Sequence, residues 1–205
     1  MRKTVILNAV LSGAVLLALP ALAAFPKEAA FLAENDAAMK TMMAGMMVKP
    51  SGDIDADFAA MMIPHHQGAI DMAAVELKYG SDAAILQLAR EIKAAQQPEI
   101  DRMRAWQSAH GAVATADAAV ERTAYGAASL TMMNGMMGDS MAHSGNADVD
   151  FVKLMIPHHQ GAIAMAAVEL KYGRDAGLHA LAEAIIAAQQ GEIAEMAAWL
   201  KVAAR

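Results

Sequence analysis

Four of the seven histidines in this 205-residue chain stand as two adjacent pairs, His65-His66 and His158-His159. Each pair has one methionine four positions before its second histidine, Met62 or Met155, and another seven positions after its first, Met72 or Met165. Residues three, four or seven apart share one face of an α-helix. Imidazole nitrogen and thioether sulfur are borderline and soft donors. Two or three of them suffice for a soft monovalent ion such as Cu(I) or Ag(I), whereas hard cations require oxygen ligands. Met62, His65, His66, Met72, Met155, His158, His159 and Met165 are therefore the candidate metal ligands. On a helical wheel at roughly 100° per residue, His65 shares its face with Met62, Met72 and Glu76, while His66 turns toward Ile70 and Leu77. The competing reading is structural: methionine fills irregular core gaps, and a buried histidine hydrogen-bonds across helices. Recurrence of the whole spacing favours the metal.

The two pairs belong to a duplication. Residues 61–80, MMIPHHQGAIDMAAVELKYG, return as residues 154–173, LMIPHHQGAIAMAAVELKYG, with two positions changed. His158 follows His65 by 93 positions, and the same offset relates Asp57-Phe58 to Asp150-Phe151, Gln96-Gln97 to Gln189-Gln190, Met103 to Met196 and Trp106 to Trp199. Upstream, the stripe from Thr41 to Met47 matches Thr131 to Met137 at an offset of 90.

Such a repeat implies units that bury their apolar faces against one another. Each unit reads as three helices. A Met-rich helix runs from about residue 27 to 47. A second, capped by Asp55 or Asp57, carries the histidines to Gly80, a left-handed terminator, with Pro64 kinking it. A third runs from Ser81 to about residue 109. Short turns at Gly80-Ser81 and Gly173-Arg174 make the last two helices of each unit an antiparallel hairpin. The expected fold is all-α: a tandem duplicated helical unit, with repeats at 24–113 and 114–205, whose two hairpins form a ferritin-like four-helix bundle flanked by Met-rich helices.

Composition agrees with that class. Hydrophobic residues make up 57% of the chain and aromatic residues 4%, which suits helices packed through alanine and methionine better than a β-sandwich. Residues 1–23 read as a secretory signal: Arg2 and Lys3, an apolar run from Val5 to Leu19, and Ala21-Leu22-Ala23 as the cleavage site. The expected location is periplasmic or secreted, with no membrane association after cleavage. There is no cysteine, so stability comes without disulfides. Methionine and histidine, 18 and 7 in number, can hold a soft metal in an oxidising compartment without forming them. The formal charge of −6 disfavours a nucleic-acid partner.

Other residues carry weaker signals. Glu76 and Glu169 could fix an imidazole tautomer or bond to a neighbouring helix. Gln67, Gln96 and Gln97 read as inter-helix hydrogen bonders, His143 as a loop residue able to add a mobile ligand, His110 and His179 as surface residues, and Trp106 and Trp199 as packing anchors at helix ends. No His-Glu-x-x-His, phosphate-binding glycine loop or Gly-x-Ser-x-Gly elbow is present, and no glutamate is followed three residues later by histidine. The chain reads as a binding protein and not an enzyme.

The residues Asp57-Phe58, Met62-Ile-Pro-His-His-Gln-Gly-Ala-Ile70 and Met72-Ala73, with their second-copy equivalents, resemble the bacterial family known as domain of unknown function 305, which includes CopM-type periplasmic copper-binding proteins. The resemblance covers most of the chain beyond the signal, as two copies. It implies a helical bundle, export, and copper or silver binding through methionine and histidine; carried over by position, the implied ligands are the eight residues named above. The chain departs from the family pattern where Asp71 becomes Ala164, so an acidic group there is not required at both sites. Buffering Cu(I), or handing it to a copper-transfer partner, is the expected function. The alternative is a non-catalytic structural or adaptor bundle whose Thr-Met-Met-x-Gly-Met-Met stripes dock a partner helix.

Overall fold

Each histidine-bearing helix begins at a side chain that satisfies its first free N–H groups. Asp53 Oδ1 accepts from Ala56 N at 3.3 Å, and Asn146 Oδ1 accepts from Val149 N at 3.2 Å, as helix starts favour. The computed structural model describes residues 26–49, 51–110, 125 and 143–203. They form α1 (Pro26–Met46), α2 (Ile54–Tyr79), α3 (Ala83–His110), α4 (Ala147–Tyr172) and α5 (Ala176–Ala203). No strand occurs among the described residues, so the all-α expectation holds. None of these helices is long and apolar enough to cross a membrane. The expected signal, residues 1–23, and the second Met-rich stripe, Thr131 to Met137, lie outside the described residues.

The hairpins α2–α3 and α4–α5 dock through α2 and α4, and α1 lies along α2. Two apolar clusters show the direction of packing. One joins Phe58, Ala59 and Met62 of α2 to Ala162, Met165 and Ala166 of α4 and to Leu178, Leu181 and Ile185 of α5. The other joins Ala69, Met72 and Ala73 of α2 to Phe151, Val152 and Met155 of α4, with Ile85, Leu88 and Ile92 of α3 and Met196 of α5. Numbers rise along α2 as they fall along α4, so the two helices run antiparallel. The histidines occupy the level between the clusters.

Asp55 and Asp57 do not cap α2 as the sequence suggested. Asp57 Oδ2 accepts from Ser51 N at 2.7 Å. Asp55 reaches across to the other hairpin, accepting from Arg174 N at 3.0 Å and Asp175 N at 2.8 Å. Asp148, its counterpart, accepts from Ser81 N at 2.9 Å, Ser81 Oγ at 2.9 Å and Asp82 N at 2.8 Å. Each hairpin thus supplies a carboxylate to the turn of the other. Free N–H groups near a helix start favour an anion, and these links join residues that sequence spacing could not pair.

Gly80 and Gly173 close α2 and α4, but not in the left-handed conformation expected: their φ angles are −62° and −65°. The reason for glycine is space. A Cβ at Gly80 would overlap the Glu76 carboxyl, and one at Gly173 the Glu169 carboxyl, because each glutamate folds back beneath its helix end. Glu76 is fully buried and cannot swing aside. Gly80→Ala is expected to cost about 1–3 kcal/mol through this overpacking, read from the urea midpoint. Gly68 has a similar role on another face, where a Cβ would overlap Met42 of α1.

Met42 and Met46 are buried in that α1–α2 contact, with Met39 and Met43 packed beside them, while Met47 is 85% exposed. Pro64 lies inside α2, which continues as one helix from Ile54 to Tyr79.

Candidate metal centre

α2 and α4 place their histidines at the same level of the bundle. The His65 and His158 rings lie face to face, with centroids 3.8 Å apart and planes inclined by 38°. His66 lies 6.3 Å from His65, and His159 lies 6.1 Å from His158, centroid to centroid. All four side chains are fully buried. The two pairs, 93 positions apart in sequence, therefore form one histidine layer and not two distant sites.

Their polar atoms divide into two kinds. Neither ring nitrogen of His65 or of His158 has a hydrogen-bond partner. His66 Nε2 lies 2.8 Å from Glu99 Oε2, and His159 Nε2 lies 2.6 Å from Glu192 Oε2, while Nδ1 of each ring is buried and unpartnered. Buried polar atoms normally find partners, and those that do not mark strain, function or an absent water or ion. Six such nitrogens lie in one layer with apolar clusters on both sides; an uncharged imidazole carries one lone pair, so the layer offers at most four nitrogen ligands.

Burial holds His65 well below the ordinary imidazole range, and the neighbouring His158, His66 and His159 add to the shift. Burial does the same to His158, reinforced by His159 and His66. The His65 backbone, close to His158, acts in the opposite direction. Removing charge from a low-dielectric layer explains the direction. Burial thus favours, at both central rings, the uncharged form in which imidazole binds metal.

The four methionines are buried too, but they divide between the clusters. Met62 and Met165 are in one; Met72 and Met155 are in the other. The repeats thus exchange partners, and each side of the histidine layer carries one sulfur from each. Met62 and Met72 of the same repeat end up on opposite sides of His65. Among the described residues, no three His, Asp or Glu side chains converge on a point fit for a metal ion. An oxygen-rich site for a hard cation is not formed here, and the available set is nitrogen and sulfur, which suits a soft ion.

His66 is buried and reaches Glu99 of α3. Its partner Glu99, and Glu192 opposite His159, were missed in the sequence. Their signal was the recurrence of Gln-Pro-Glu-Ile, residues 97–100, as Gln-Gly-Glu-Ile, residues 190–193, at the repeat offset of 93. Glu76 and Glu169 instead contact Asp148 and Asp55 of the opposite hairpins. Burial, then the adjoining Asp148 carboxylate, pushes Glu76 up to about 9. Burial and Asp55 push Glu169 up to about 9 in the same way. Protonated, each can donate to a carboxylate that would otherwise repel it. Burial pushes Asp148 up as well, but the Ser81 and Asp82 N–H groups and Glu76 outweigh it and hold Asp148 below its ordinary range.

The remaining sequence candidates are peripheral. Gln67 and Gln97 bond within their own helices, to Asp71 and Asp101, each at 3.0 Å. Gln96 and Gln189 are buried without partners for either amide atom. Gln67 and Gln97 do not make the cross-helix hydrogen bond expected, because Asp71 and Asp101 lie one turn along the same helix; Gln96 makes none either. His143 is exposed and lines a cavity of about 340 Å³ with Asn35, Asp36 and Met39. His110 stacks on Trp106, with ring centroids 4.7 Å apart.

The profile of the family described as "Domain of unknown function (DUF305)" matches residues 55–200. No curated protein matches the chain. Solved structures do. CopM in the Cu(I)-bound form is 31% identical, with a TM-score of 0.56, and the match covers 72% of this chain and 95% of that one. CopM in an Ag-bound form is 32% identical, with a TM-score of 0.55, over 72% of this chain and 94% of that one. A DUF305 fragment from Deinococcus radiodurans is 26% identical, with a TM-score of 0.55, over 75% of this chain and 99% of that one.

Proposed function

Since the chain belongs to the family of domain of unknown function 305, with similarity to CopM in Cu(I)-, Cu(II)- and Ag-bound forms, we propose that it is an exported protein binding Cu(I), with Ag(I) as a mimic. It buffers the ion or passes it to a copper-transfer protein, and performs no catalysis.

The observation that carries this reading is the layer of four buried histidines with six unpartnered ring nitrogens. Packing histidines normally have their ring nitrogens paired. A pair of nitrogens drawn from His65, His66, His158 and His159 would hold the ion, with Met62, Met72, Met155 and Met165 as thioether donors from the flanking clusters. A centre drawn from both repeats accounts for the duplication, since half of it would offer only one pair. Export rests on residues 1–23 and on a donor set that needs no thiol. The adaptor alternative is disfavoured by Met42 and Met46, which are already occupied against α2.

Titration of the mature protein with Cu(I) under reducing conditions, against a competing chelator, tests the reading. Replacing His65 and His66 by alanine is expected to abolish tight binding altogether, not to halve the stoichiometry, because both repeats serve one centre. Retention of one tight site would refute the shared centre. Unchanged affinity after all four histidines are replaced by alanine would end the copper reading.

A further inference from the structure

We infer that Glu99 and Glu192 are positioning residues that hold His66 and His159 as Nε2–H tautomers, so that Nδ1 is the atom each ring presents to the core. The inference rests on the copper reading only for what the presented nitrogen is used for; the tautomer itself is a property of the metal-free chain.

Each Nε2 faces a carboxylate oxygen, at 2.8 Å for Glu99 and 2.6 Å for Glu192. A carboxylate only accepts, so the proton sits on Nε2. The other tautomer would set the nitrogen lone pair against the oxygen lone pairs. Nδ1 of each ring is buried with no acceptor in reach, and a proton there would be an unpaired buried donor. Both contacts point to the same assignment, and they occur twice, 33 positions apart in each repeat.

The glutamates also sit where positioning residues should. Their side chains are 17% and 18% exposed, whereas the histidines they hold are fully buried. They lie at the outer rim of the layer, on α3 and α5, and leave the inner edge of each ring free. His65 and His158 have no such anchor. The layer therefore has two fixed outer donors and two central rings with neither nitrogen committed to a partner. A carboxylate that fixes and polarises an imidazole in this way typically changes metal affinity by about 10–100-fold.

Long-range proton–nitrogen NMR of the full chain without metal reads the tautomers directly. His66 and His159 are expected to show a protonated Nε2 and a bare Nδ1; an Nδ1–H form in either would overturn the inference. Glu99→Gln with Glu192→Gln keeps an accepting carbonyl and is expected to preserve the assignment, whereas Glu99→Leu with Glu192→Leu is expected to release it to a mixture. An unchanged tautomer in the leucine variant would refute the positioning role. With Ag(I) as probe, the Nδ1 resonances are expected to shift, and affinity to fall about 10–100-fold in the leucine variant. A shift at Nε2 would refute the assignment. Absence of any Ag(I) effect would count against the metal reading while leaving the tautomer result to stand by itself.

Discussion

Replacing His65 and His158 together by leucine is expected to make the metal-free protein more stable while removing the proposed soft-metal site. The two rings have no hydrogen-bond partner at any nitrogen and no exposure to water. Each neutral imidazole buries one donor and one acceptor, and an unmet buried polar group costs roughly 1–3 kcal/mol. Leucine has similar volume and continues the apolar clusters on both sides. Counting each ring as a single unmet group, the double variant should gain about 2–6 kcal/mol, reduced by about 1–3 kcal/mol if repacking is imperfect. Cu(I) affinity should fall at least a hundredfold, about 2.8 kcal/mol. Urea unfolding of the apo form and a Cu(I) competition titration check the two halves. Stability and binding then move in opposite directions, which separates ligand histidines from packing histidines. A fall in apo stability with binding intact would show that the rings are structural.

The second large effect is an unusual dependence of stability on pH. Glu76 and Glu169 are pushed from 4.5 up to about 9 in the folded protein by burial and by the facing carboxylates. Between those values the native state keeps two protons that the unfolded chain releases, so stability falls as pH rises. Each group contributes at most about 1.4 kcal/mol per pH unit. Glu28, pushed up to about 7 by burial and by Asp150, adds to the lower part of that window. His65 and His158 act in the opposite sense. Below 6.5 the unfolded chain takes up protons that the buried rings refuse, so stability falls as pH falls.

From 4.5 to 6.5 the two effects oppose each other, and above 6.5 only the glutamates act. The apo protein should be most stable in mildly acidic solution and lose up to about 3 kcal/mol per unit on the alkaline side. Glu76→Gln with Glu169→Gln keeps a neutral donor toward Asp148 and Asp55, and should flatten that limb. Urea midpoints at about pH 5.5 and about pH 8.5 decide it. An alkaline limb equally steep in the double glutamine variant would place its origin elsewhere.

Both effects come from pairings that the sequence showed only in half. The wheel put His65 and Glu76 on one face, which is correct for a single helix. What met that face was another matter: His158 opposite His65, and Asp148 opposite Glu76. Asp55 was legible as a helix-start residue because aspartate is common there, yet its carboxylate serves the turn of the other hairpin. Gly80 was legible as a helix end, but its conformation is extended, and the reason for glycine is the Glu76 carboxyl beneath it. Glu99 and Glu192 carried the repeat offset and nothing else to distinguish them from solvated glutamates on an amphipathic helix.

The sequence by itself determined the all-α class, the helical hairpins, the eight candidate donors and the pairing of each with its counterpart 93 positions on. Periodicity, capping and repetition are local or self-referential properties, readable without knowing what a helix touches. Only the tertiary structure decided that the two histidine pairs share one layer, that the methionines of each repeat separate to opposite sides of it, and that glutamates 33 positions away hold its outer rings. Those outcomes depend on the direction and register in which α2 meets α4. Burial of apolar faces on both sides of the histidines sets that register, and no spacing within one helix encodes it.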